Sequence, residues 1–154
     1  MKSKLIRRLL PVLVLFASFT HANDEVPTSP QAATRTYAQN FKDMVLAECL
    51  ATAYKKDQQA STDAGSSVSA LRDWTYYDWD KHPYVEVIPP LVEKYLARDY
   101  RNPLAESEIK GVQFDFLKCL DLYHGKELDS VVKRVVIHPK RTYRQDNPLP
   151  KRPE

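Results

Sequence analysis

Two cysteines, Cys49 and Cys119, and four histidines, His21, His82, His124 and His138, are the side chains of this chain with the most chemistry to offer. A cysteine nucleophile needs a nearby base, and no histidine stands in a recognisable pairing with either cysteine. The histidines are scattered, and no HxxH, HExxH or CxxC spacing occurs, so no metal site is expected. Three separated glycines cannot form a phosphate-binding loop, and no Gly-x-Ser-x-Gly nucleophile elbow is present. Carboxylate pairs do occur, at Asp78/Asp80 and Glu106/Glu108, and two such groups can in principle build a glycosidase. Solvated surface charge is the plainer reading of both. No catalytic set, cofactor or metal is therefore expected, and binding replaces catalysis as the expected activity.

The cysteines then need another role. An even pair in an exported chain is read first as a disulfide. The loop it closes is long, so the chain-entropy model gives about 4 kcal/mol, with about 2–4 kcal/mol usual. Export is signalled by the first residues. Lys2, Lys4, Arg7 and Arg8 precede an apolar run of 11 residues, 9–19, and Thr20-His21-Ala22 then puts small residues at the two positions a signal peptidase inspects. This is the three-part pattern of a cleaved signal peptide covering 1–22. A bilayer-spanning helix needs about 20 apolar residues. The run is too short, so no membrane association is expected after cleavage.

Cleavage changes the charge. The whole chain has 23 basic and 20 acidic residues and a pI near 8.8, but the signal removes four basic residues. Residues 23–132 then hold 12 basic and 18 acidic side chains, and 133–154 hold seven and two. An acidic body with a basic tail is a poor nucleic-acid binder, because phosphate neutralisation needs a continuous positive face. It suits a basic protein partner.

The elements that must position any binding surface are helical. The polar residues 23–33 form a loose lead. Thr34 or Thr36 caps a first helix to about residue 56, with Tyr37, Phe41, Met44, Val45, Cys49 and Ala53 at three- and four-residue steps. Asp63 caps a second helix to about 76, after a break at 57–62. A third starts near Pro89-Pro90, where first-turn prolines are tolerated, and runs to about 98 with Leu91, Val92, Tyr95 and Leu96 inward. Asn102-Pro103 opens a fourth, with Ile109, Val112, Phe116, Cys119 or Leu120, and Tyr123 on one stripe. Gly125 ends it as a left-handed residue. Residues 126–136 make a fifth helix, although their β-branched run leaves a strand open. Prolines from 139 onward predict an extended basic tail over 137–154. The expected fold is thus all-α: one domain, 23–136, of four to five helices, with the bridge between the first and fourth.

Two surfaces are candidates for partner binding. Tyr76, Tyr77, Trp79 and Tyr84 crowd one segment with Asp78, Asp80, Lys81 and His82, and aromatics with polar tips are typical interface anchors. The competing reading is that half of them tuck into the core. Trp74 is expected inside and Trp79 outside. The second surface is the charged turn Arg98-Asp99-Tyr100-Arg101-Asn102, whose plain alternative is an ordinary helix end.

Several runs also resemble a known family: Asn40-Phe41-Lys42-Asp43 ahead of Cys49-Leu50-Ala51-Thr52-Ala53-Tyr54, Asp63-Ala64-Gly65-Ser66-Ser67, and Tyr95-Leu96-Ala97-Arg98-Asp99-Tyr100. Lys110-Gly111-Val112, Phe114 to His124 and Thr142-Tyr143-Arg144-Gln145-Asp146-Asn147-Pro148 extend the likeness. Together they resemble the type VI secretion amidase immunity proteins of the fourth Tai group, relatives of the Rap-type resistance proteins. The resemblance implies a periplasmic helical protein, tending to homodimerise, that protects its producer by blocking a papain-like Cys-His peptidoglycan amidase, partly with a protruding loop. Carried onto this chain, the blocking surface is either 76–84 or 98–102. Two alternatives stand beside it: a periplasmic cell-wall enzyme or accessory factor, and a lysozyme inhibitor.

Overall fold

The computed structural model describes residues 30–150 apart from 79 and 82, and of residues 106 and 107 the backbone alone. The expectations for the signal peptide and for Trp79 therefore lie outside the described residues.

A 3-10 turn, Gln31–Thr34, leads into α1, Tyr37–Ala53. Thr36 starts α1 with a capping box: its hydroxyl accepts the Gln39 N–H at 3.2 Å, and the Gln39 side chain accepts the Thr36 N–H at 3.0 Å. Two of the unpaired donors at the helix start are thereby satisfied. The expected stripe is buried, with Phe41, Met44, Val45 and Cys49 at its centre. Helices α2, Gln58–Arg72, α3, Tyr84–Leu96, α5, Asp115–Tyr123, and α6, Lys126–Val135, all pack against α1.

The bridge between Cys49 of α1 and Cys119 of α5 is present, with Cα atoms 5.7 Å apart and both residues fully buried. It joins the first helix to the fifth in chain order, because the expected fourth helix is two. Its first piece is α4, Pro103–Glu108, and α5 is the second. Gly111, at φ 76°, and Phe114, at φ 54°, turn the chain in between. One glycine inside an otherwise periodic stripe is the only local sign of this break, and the period runs on across it.

Other boundaries also move. Asp57, and not Asp63, caps α2, accepting the N–H groups of Gln59 at 3.1 Å and Ala60 at 3.0 Å. The polar stretch expected to be a break is the helix start. Helix α3 begins before the prolines, and Pro89 and Pro90 lie inside it. Their missing N–H groups strand the carbonyls of Val85 and Glu86, both at exposed residues where water can serve them. Gly125 is extended, φ −74° and ψ 142°, so left-handedness is not its reason. A Cβ there would lie 2.6 Å from Tyr95 Oη and 2.9 Å from the Asp121 carbonyl oxygen. Residues 126–135 are helical, with Glu127 and Asp129 at the start and Lys133 and Arg134 at the end, the arrangement the helix dipole favours.

The ends of the described stretch are not loose. Ala32 and Ala33 are buried, and within the tail expected to be extended, α7, Tyr143–Asp146, forms behind a second capping box, Thr142 with Gln145. The two cap threonines pair as an antiparallel bridge. The Tyr37 and Ala38 N–H groups, which open α1, donate to the carbonyls of Arg141 at 2.8 Å and Pro139 at 3.1 Å. Tyr37 Oη donates to Asp146 Oδ2 at 2.7 Å, Arg141 pairs with Asp146, and Trp74 meets Tyr143 edge to face at 4.9 Å. Trp74, expected inside, is half-buried at this junction. Residues 30–38 and 136–147 thus make a terminal clasp.

Candidate functional site

The two candidate surfaces separate sharply. In the aromatic segment, residues 76–78 run antiparallel to 135–137: the Asp78 N–H donates to Val135 at 3.1 Å and the Ile137 N–H to Tyr76 at 2.9 Å. This pairing turns Tyr77 inward, where it is 3% exposed and its ring lies 5.3 Å from Phe41. Tyr84, in the first turn of α3, is 8% exposed. Burial pushes both phenols well above their usual ionisation range. These two tyrosines are therefore core, and neither is available to a partner in this fold. Asp78 accepts the Lys81 N–H at 3.0 Å and pairs with its ammonium at 3.1 Å. Those hydrogen bonds hold its carboxyl below the usual value. Asp80 is exposed. The segment presents Tyr76 and two carboxylates, and its main work is packing.

The turn at 98–102 belongs to something larger. After α3 ends at Leu96, the chain leaves the body and returns at Asp115. Residues 97–114 between them form an arm that contains α4, which has no substantial packing partner among the other helices. The outgoing limb is held by polar ties. The Arg98 guanidinium stacks 3.5 Å from the Tyr95 ring centroid and donates to Tyr100 Oη at 3.3 Å, and Tyr100 Oη donates to the Asp121 carboxylate of α5. Asp99 pairs with Arg101 at 2.7 Å, and the Asn102 side chain caps α4 by accepting the Leu104 N–H at 3.1 Å. Asp99, Arg101 and Asn102 are exposed, and Tyr100 is half-buried.

Beyond that turn the arm carries apolar side chains outward. Leu104 is 80% exposed and Ile109 is 65% exposed. Ile109 and Phe116, expected on a buried stripe, both face solvent because the break at Gly111 and Phe114 rotates the two helical pieces apart. A cavity of about 800 Å³ lies between the limbs, lined among others by Arg98, Tyr100, Pro103, Gly111 and Lys118. A second, of about 590 Å³, lies on the other side of the return at Gly111 and Gln113. The returning limb is undercut on both sides.

Such an arm offers an exposed surface to a partner. Among the described residues no group of three or more His, Cys, Asp or Glu is placed to hold a metal, and no helix is long and apolar enough to cross a membrane. Sequence reasoning finds the charged start of the arm and misses its apolar tip. The signal is Gly111, which interrupts the stripe that would otherwise bury Ile109.

A family model described as "Tai4: Type VI secretion system (T6SS), amidase immunity protein" matches residues 39–132. A solved structure described as "New Type VI-secreted toxins and self-resistance proteins in Serratia marcescens" is 30% identical, with a TM-score of 0.66, over 81% of this chain and 98% of that one. Another, of the effector–immunity system Tae4/Tai4 from Salmonella typhimurium, is 24% identical, with a TM-score of 0.57, over 69% and 95% of the two chains. That likeness speaks for the fold alone. A search of curated protein sequences returns no match.

Proposed function

This chain belongs to the type VI secretion amidase immunity family, and from that premise we propose that it binds a peptidoglycan amidase effector and blocks its substrate groove with the arm, residues 97–114. One observation carries the choice of surface: Leu104 and Ile109 stand exposed on an excursion that the body does not cover. An exposed apolar side chain on a standing-off segment is what a concave partner buries, and such central anchors dominate binding energy. The charged turn, Asp99 to Asn102, forms the polar rim beside them. Tyr77 and Tyr84 drop out of the binding set, while Asp78 and Asp80 lie apart from the arm in sequence.

In this reading the protein is not an enzyme. It is delivered to the periplasm by the signal peptide 1–22, and its disulfide forms there. The effector is a papain-like Cys-His amidase, the acidic body speeds encounter with a basic partner, and the protein pairs as a homodimer, as the resemblance implies. Murein hydrolysis by such an amidase, measured against rising amounts of this protein, should fall to zero near equimolar ratio. Undiminished hydrolysis at excess protein would end the proposal.

A further inference from the structure

The arm leaves the body at Leu96 and comes back at Asp115, and one side chain touches both ends. Lys118, on the second turn of α5, is only 4% exposed. Its ammonium donates to the Leu96 carbonyl oxygen at 3.0 Å and to Asp115 Oδ1 at 2.9 Å. Leu96 is the last residue of α3 and Asp115 the first of α5. The Asp115 bond lies within one helix, whereas the Leu96 bond crosses from one helix to the next.

Stability alone does not explain a lysine here. A buried ammonium loses its hydration, and replacing a buried ion pair with an apolar residue is often neutral or stabilising. The position faces the core side of α5, one residue before the bridge cysteine Cys119, where a methionine would pack. What the ammonium supplies that a methionine cannot is a directed bond to the one carbonyl at the arm's root. That carbonyl belongs to the last turn of α3, where no helical N–H remains to meet it. With cavities on both sides of the returning limb, this bond shares the root with the Tyr100 tie to Asp121.

We propose that Lys118 is the positioning residue of the arm: it clamps the end of α3 to the start of α5 and so sets the direction in which Leu104 and Ile109 are presented. This rests on the reading that the arm contacts the effector, and two readouts separate the two ideas. The first needs no effector. Trypsin has sites in the arm after Arg98, Arg101 and Lys110. Lys118→Met should raise the rate of nicking at those sites roughly tenfold, since a loosened segment is cut from its locally opened state, with nicking elsewhere unchanged. The substitution should leave no stranded charge, because Asp115 is solvent-accessible and sits at a helix start that favours a carboxylate.

The second readout is a double-substitution cycle, using an amidase of the Tae4 type with which the unsubstituted chain forms a complex. Lys118→Met should weaken that complex about tenfold, a coupling within the range seen for residues of one network. In the Leu104→Ser/Ile109→Ser background it should change affinity less than about twofold. An equal loss in both backgrounds overturns the clamp, since it would mark general damage, and so does unchanged nicking of the arm. If Leu104→Ser/Ile109→Ser binds as the parent does, the arm reading falls, and the nicking result alone still decides the clamp. Should Lys118→Met not fold, Lys118→Gln, a shorter and uncharged donor that weakens the bond to Leu96, tests the same clamp with a smaller expected rise in nicking.

Discussion

The arm and the terminal clasp are both excursions from the helical body, and opposite means hold them. In the clasp nearly every polar feature is reciprocated: two capping boxes, backbone bonds from α1 to Pro139 and Arg141, and the Tyr37–Asp146–Arg141 group. Its apolar residues Ala32, Ala33 and Tyr37 are buried. The arm is fixed at its root by Lys118 and Tyr100, while its apolar residues point to water. A segment whose polar groups are satisfied and whose apolar groups are covered is complete in itself. One that is polar at the root and apolar at the tip awaits a partner. The family model covers the arm but stops short of both halves of the clasp.

The sharpest way to break this comparison is to remove the frame that both share. Cys49→Ser/Cys119→Ser should lower the unfolding free energy by about 2–4 kcal/mol in urea melts. Because the bridge pins α5, on which the arm returns, inhibition should weaken with it. Full inhibition by the unbridged protein would separate the arm from its supposed support. Next comes a crossed pair of variants. Leu104→Ser/Ile109→Ser should weaken effector binding about a hundredfold, or about 2.7 kcal/mol, with the urea midpoint unmoved. Tyr37→Phe should do the reverse, costing about 1 kcal/mol of stability through the lost hydroxyl bond and leaving affinity intact. If the clasp variant lost affinity, or the arm variant lost stability, the division would be wrong.

Much of this division is hidden in the sequence, for identifiable reasons. The stripe of α1, its threonine cap, the all-helical class and the partnership of Cys49 with Cys119 follow from local rules that tertiary structure does not overrule. The break at Gly111 and Phe114 escapes notice because periodicity continues through it in sequence while the backbone does not. The prolines at 89 and 90 read as a helix start because nothing local says that Tyr84 has already begun one. Tyr77 looks like an interface anchor until its pairing with Val136, far along the chain, turns it inward. The charged part of the site, Asp99 to Asn102, is legible, since polar residues between helices announce a surface. The apolar part is not, because an exposed leucine and a buried one read alike.

The smallest effect tests the clasp alone. Asp146 sits below its ordinary value of 3.8, first because Arg141 donates to it and then because Tyr37 does. The stabilisation it provides is complete above pH 3.8 and is lost as the pH falls through the lowered value. Tyr37 is pushed from 10.0 up to about 12, by burial and then by the bond to Asp146. Its contribution is complete below pH 10 and is lost as the pH rises toward 12. Amide-exchange protection of Tyr37 and Ala38 should therefore hold between these limits and decline slightly on either side, with the protection of α3 flat near the acid limit. Equal decline in both elements at that limit would show that the clasp does not open on its own.

The clasp also imposes an order of events on the making of the protein. Tyr37 and Asp146 are 109 positions apart, so when α1 first emerges its opening N–H groups have no acceptors from the chain that follows. They must wait for Pro139 and Arg141, about a hundred positions further along the chain. A chain released early, or stalled part-way, can assemble its disulfide-joined helices and still lack the final turn that seals the start of the first one. The start of the first helix is therefore secured by a segment far along the chain and not by its own neighbours.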